Sequence, residues 1–158
     1  MKKNLKDSLK DPQIFLQIIL MIIYYFLDII YLVKLNNFNK LMESKGWTAQ
    51  LNNKLTINSI TVASEILNAG GWNYLYGALI FTGLGILLVF VLYKIGKETY
   101  YPQICFLIKL VNLTFFIIFI VLLCILVNNP VVRAFLIVAG VVAIGMTVYG
   151  NWNCQIFV

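Results

Sequence analysis

The sequence contains no histidine, so the side chain that most often serves as general base or metal ligand near neutral pH is unavailable. Cysteine is scarce. Cys105, Cys124 and Cys154 stand apart, and no two form a CxxC pair. They read as small apolar fillers rather than a disulfide frame or a metal site. Charge is short as well. Asp, Glu, Lys and Arg make up 11% of the chain, against about 25% in a soluble protein. A phosphate-binding glycine loop, a nucleophile elbow and paired carboxylates are all missing. The chain is therefore expected to be no enzyme, and to need no metal and no cofactor. The net charge of +6 is scattered and forms no continuous basic stripe, so nucleic acid is not an expected partner.

What the chain has in excess is apolar surface. Hydrophobic residues are 61% of its 158 residues, against about 45–50% in a soluble domain. Mean hydropathy is +0.89. The excess is gathered into four runs, 13–33, 73–93, 104–127 and 131–149. Each is near the ~20 residues a helix needs to cross a hydrocarbon core. The expected fold is all-α and integral to the membrane: one domain over 1–158, with four transmembrane helices. A long extracytoplasmic loop, 34–72, would join the first two.

The first run is too long for a signal peptide and lacks a small-x-small cleavage site after it, so it reads as a retained helix. It opens at Asp11-Pro12, where Asp11 can cap free amides and Pro12 fits the first turn. It is expected to stop at the polar cluster 34–40. The loop that follows is mildly amphipathic over 41–67. Trp47 and Trp72 near its ends suit a membrane surface. Gly70-Gly71 should break the chain before the second span. The tail from Gly150 is expected to rest at the interface.

Lysine placement sets the expected orientation. With the N-terminus inside, Lys2, Lys3, Lys6, Lys10, Lys94 and Lys97 are cytoplasmic, facing anionic headgroups. Both termini then lie inside, in a plasma membrane. Arg133 argues weakly the other way.

Polar residues inside the spans are the most informative, because each is disfavoured in lipid. Gln13, Gln17, Tyr24, Asp28 and Tyr31 fall within about 60° of one another on a helical wheel. They should face the bundle interior or a wet cavity. Two readings compete for this stripe: a solute or proton path, or hydrogen bonds that hold helices together. Asp28 and Arg133 are expected at comparable depth, where an ion pair is allowed. Lys109, with Asn112 on the same face, should snorkel to the cytoplasmic interface.

Small residues mark close helix contacts. Ala78, Thr82 and Gly85 form one such face, and Ala139, Ala143 and Thr147 another. These faces could meet each other or a second copy. The leading expectation is a protein that works by contact with another membrane protein or with itself. It would be an accessory subunit of a membrane complex, or an immunity-type protein against a membrane-active toxin. The alternative is a small oligomeric channel or transporter built on the stripe around Asp28.

Overall fold

A computed structural model describes residues 11–47, 57–96, 101–127 and 130–155. The described residues form helices α1 (Pro12–Ser44), α2 (Ile57–Ile66), α3 (Trp72–Gly96), α4 (Pro102–Leu126) and α5 (Pro130–Gln155). Helices α1, α4 and α5, and the stretch Thr61–Gly96 that contains α3, are each long and apolar enough to span a membrane.

Helix α1 begins as its sequence dictates. The Asp11 carboxylate accepts the Gln13 amide at 2.9 Å, and Pro12 occupies the first turn. Its end is later than expected. The helix runs through the polar cluster 34–40 to Ser44, where Gly46, at φ 68°, turns the chain. The cause is a continued inward face: Leu35 and Phe38 follow Tyr31 at helical spacing and are buried. The Phe38 ring stacks on Tyr74 at 4.4 Å, and the Asn39 amide donates to the Leu126 carbonyl at 2.8 Å. With 33 residues, α1 is about 50 Å long and outreaches the ~30 Å hydrocarbon core.

The expected 34–72 loop is thus helical over 34–44 and again in α2. Residues 48–56 lie outside the described residues, as do the N-terminal lysines. Between α2 and α3 the chain passes through a kink at Leu67–Gly71. Gly70 has φ 103° there, a left-handed value open to glycine and strained for other residues. Helix α5 extends past the predicted boundary at Tyr149 to Gln155.

Helices α1 and α4 run parallel. Contacts at 17 with 105, 25 with 112 and 39 with 126 keep one register along their length. Helices α3 and α5 run the opposite way. The close pairs are α1–α3, α1–α4, α3–α4, α3–α5 and α4–α5. Helices α3 and α4 therefore form the middle of the bundle, with α1 and α5 on opposite flanks.

Rings pack into glycine notches in this interior. A Cβ at Gly85 would overlap the Phe116 ring and lie 2.5 Å from the Tyr24 hydroxyl. One at Gly77 would lie 2.6 Å from the Tyr31 ring. Close backbone approach and dispersion hold helices together where lipid removes the hydrophobic drive. The outer surface is apolar instead: Ile22, Phe26, Ile80, Leu87, Ile125 and Val141 are all exposed. Gln17, Asp28, Thr82, Lys109, Asn112 and Thr147 are buried. Polar groups inside and aliphatic groups outside suit a protein surrounded by lipid.

Candidate functional site

The α1 stripe faces the bundle, as its periodicity implies. Gln17, Tyr24, Asp28 and Tyr31 are buried, and Gln13 is half-buried at the helix start. The Gln17 amide donates to the Cys105 sulfur at 3.4 Å. Tyr24 donates to the Phe81 carbonyl at 2.9 Å and Tyr31 to the Tyr74 carbonyl at 2.5 Å. Both tyrosines thus engage backbone oxygens of α3 and tie α1 to it. The Tyr31 ring also stacks on Phe81 at 4.8 Å.

Asp28 lies between these tyrosines, one turn from each. It is 2% exposed, and neither carboxylate oxygen has a hydrogen-bond partner. A buried polar group without a partner is disfavoured by about 1–3 kcal/mol, and more when charged. This is the most anomalous group among the described residues.

The expected ion pair with Arg133 does not form. The Arg133 Nε donates to the Val127 carbonyl at 2.9 Å, at the end of α4. A cation there suits the negative end of the helix dipole. The reason is register. Asn39, not Asp28, sits beside Leu126 at that end. Asp28 is eleven residues, or about 16 Å, further along α1. Helix α5, which carries Arg133, also flanks the α3–α4 pair on the side away from α1.

Both small-residue faces are used inside the chain. Ala78, Thr82 and Gly85 are buried, as are Ala139, Ala143 and Thr147. Thr82 donates to the Ala78 carbonyl at 2.7 Å and Thr147 to the Ala143 carbonyl at 2.8 Å. Each hydroxyl is satisfied within its own helix, so these threonines act as small packing residues. They supply no free face for a second copy.

A second polar cluster lies nearer the end of the bundle where α3 finishes and α4 begins. The Tyr25 hydroxyl is shared between the Asn112 carbonyl at 2.7 Å and its side-chain oxygen at 2.8 Å. Lys109 is 7% exposed. Its ammonium lies 5.3 Å from the Tyr93 ring centre and beside Gly96, where a Cβ would be 3.1 Å from Nζ. The side chain does reach toward the helix ends, as snorkelling requires, but it does so inside the protein. A crevice lined by Val89, Leu92, Tyr93, Lys109, Asn112, Met146 and Thr147 leaves room for about one water molecule.

The sequence singled out the stripe but not Tyr25 or Asn39. The signal for Asn39 was present, in the helical spacing of Tyr31, Leu35 and Phe38. Nothing in the sequence alone links Tyr25 to Asn112, because that contact depends on which helices are neighbours.

The class these features define is a multi-pass helical bundle whose four long helices are apolar enough to span a membrane, with a few polar side chains buried among the described residues. No family model, curated protein or solved structure matches the chain.

Proposed function

We propose that this protein acts through contacts with another membrane protein inside the bilayer. It would serve as an accessory subunit of a membrane complex or as an immunity-type protein against a membrane-active toxin, with no enzymatic activity of its own. The observation that carries this reading is the closed interior. The stripe that a solute would need is covered by α3 and α4, with Asp28 shut off from water. The crevice beyond it holds about one water. What remains for action is the outer surface. On α5 that surface includes a smooth exposed strip of Ala134, Val138, Val141, Gly145 and Val148, spaced like one seam of a helix pair. We place the bundle in the plasma membrane, with both termini inside on the strength of the lysine distribution. Lys94 and Lys109 share one end of the bundle with the start of α1.

The test is a photo-crosslinker at Val141 in native membranes, followed by mild detergent extraction. A stoichiometric crosslink to one different membrane protein is expected. An accessory subunit should show it in resting membranes, an immunity-type protein only when the toxin is present. A crosslink only to itself, with ion flux in liposomes, would overturn this reading in favour of a channel. That second reading has one observation of its own: the unpartnered Asp28 carboxylate, an intramembrane ionisable group of the kind that marks ion and proton paths.

A further inference from the structure

Asp28 is buried at mid-depth with no counter-charge among the described residues. Its chain neighbours Phe26, Leu27, Ile29 and Ile30 face outward. In the register shared by α1 and α4 it lies level with Phe116, about 20 Å from the start of α4 and about 15 Å from its end. That is near the middle of a hydrocarbon core around the bundle. No described cation pairs with it. Lys34 is exposed on another face of α1, Lys109 is seven residues or about 10 Å away along α4, and Arg133 is held at Val127. A bare carboxylate at this depth is strongly disfavoured.

The hydroxyls that flank Asp28 in register have given their protons elsewhere. Tyr24 donates to the carbonyl of Phe81, Tyr25 to Asn112, Tyr31 to Tyr74 and Thr82 to Ala78. What these groups still offer is oxygen lone pairs. An ionised carboxylate only accepts, and its two oxygens find no donor. A carboxylic acid has one O–H to give. The Tyr24 hydroxyl, one helical turn away, is within reach of the carboxyl. Gly85 leaves the room it occupies, since a Cβ there would lie 2.5 Å from the Tyr24 oxygen.

We propose that Asp28 and Tyr24 form a sealed proton-binding site in the middle of the bundle. The neutral acid of Asp28 donates to the Tyr24 oxygen, and Tyr24 donates onward to the Phe81 carbonyl. The ligand is a single proton, and the second Asp28 oxygen stays without a donor. The site is internal, so it is independent of the partner contact assigned to the outer surface.

The test reads infrared absorption of the full chain reconstituted in phosphatidylcholine vesicles at neutral pH. A carbonyl-stretch band of a neutral carboxylic acid is expected, and labelling the aspartates with heavy carbon should shift it. Asp28→Asn should remove the band. Tyr24→Phe should keep it but move it to higher frequency, as for an acid that has lost its acceptor. A merely structural role for Tyr24 would leave it in place. In heavy water the band should shift slowly, because helices and lipid cover the site, whereas an exposed acid shifts at once. No such band in the unaltered protein would mean an ionised carboxylate and overturn the proposal, whether or not the variants fold. So would an aspartate band that persists in Asp28→Asn, stays fixed in Tyr24→Phe, or exchanges at once.

Discussion

Asp28 sets up an opposition between stability and use. Its oxygens accept no well-formed hydrogen bond, the neighbouring Tyr24 hydroxyl donates to the Phe81 carbonyl, and Arg133 is engaged elsewhere, so removing the carboxylate leaves neither Tyr24 nor Arg133 unmatched. Asp28→Leu keeps a similar volume and removes an unsatisfied group. It should stabilise the bundle by about 1–3 kcal/mol, seen as a higher thermal midpoint in detergent. If the carboxylate handles ions, the same variant will be more stable and inactive in flux. A lower midpoint would show that Asp28 has a partner in the bilayer. The glycine notches make a second prediction at this scale. Gly85→Ala drives a methyl group into Phe116 and Tyr24 and should destabilise by about 1–3 kcal/mol. Gly83 has nothing within 4 Å of a built Cβ, so Gly83→Ala should be neutral or slightly stabilising. Paired thermal melts check both, and equal losses would count against the notch.

At the scale of the helix, α5 offers the sharpest contrast. Ala143 is 0% exposed and Val141 64% exposed. Ala143→Leu should force α5 away from α3 and α4 and lower the monodisperse yield after extraction. Val141→Leu should leave the yield of the chain purified on its own unchanged, since Val141 packs on no helix of this bundle. Equal yields would mean that the Ala143 face meets lipid. Much of this was legible in the sequence. Runs of apolar residues located all four spanning helices, and spacing of three and four assigned Asp28, Ala78 and Ala143 to inward faces. The end of α1 was not legible in the same way. Lys34, Asn36 and Lys40 look like a loop by composition, while only Leu35 and Phe38 carry the helical signal. That error had a consequence, because stopping α1 at Val33 placed Asp28 opposite Arg133. Contacts between helices, such as Tyr25 with Asn112, stayed out of reach because helix order along the chain does not state which helices touch.

For the whole molecule, the parallel course of α1 and α4 fixes which segments share an end. Ser44 lies with the Asn39–Leu126 contact, and the end of α3 at Gly96 lies at the other end, beside Lys109. Cysteines placed at Ser44 and Thr99, in a background lacking the three native ones, should therefore label from opposite sides of the membrane. In intact cells an impermeant thiol reagent should reach Ser44 but not Thr99 if both termini are inside. Labelling only at Thr99 would invert the orientation, and labelling at both would break the four-span fold.

The arrangement of α1 against α3 and α4 also governs the order of events on the ribosome. The helix with the most polar inward face is made first, while the helices that cover that face, α3 and α4, are made later. From Asp28 to the end of α4 is about a hundred residues, so translation at ~5–20 residues per second leaves Asp28 and Gln17 uncovered for roughly 5–20 s. During that interval α1 must be held by the insertion machinery or wait in the bilayer with a carboxylate facing lipid. Assembly of this protein is therefore bound to its biogenesis: slowing translation between α3 and α4 prolongs the exposure of α1, and quality-control proteases have that interval in which to recognise it.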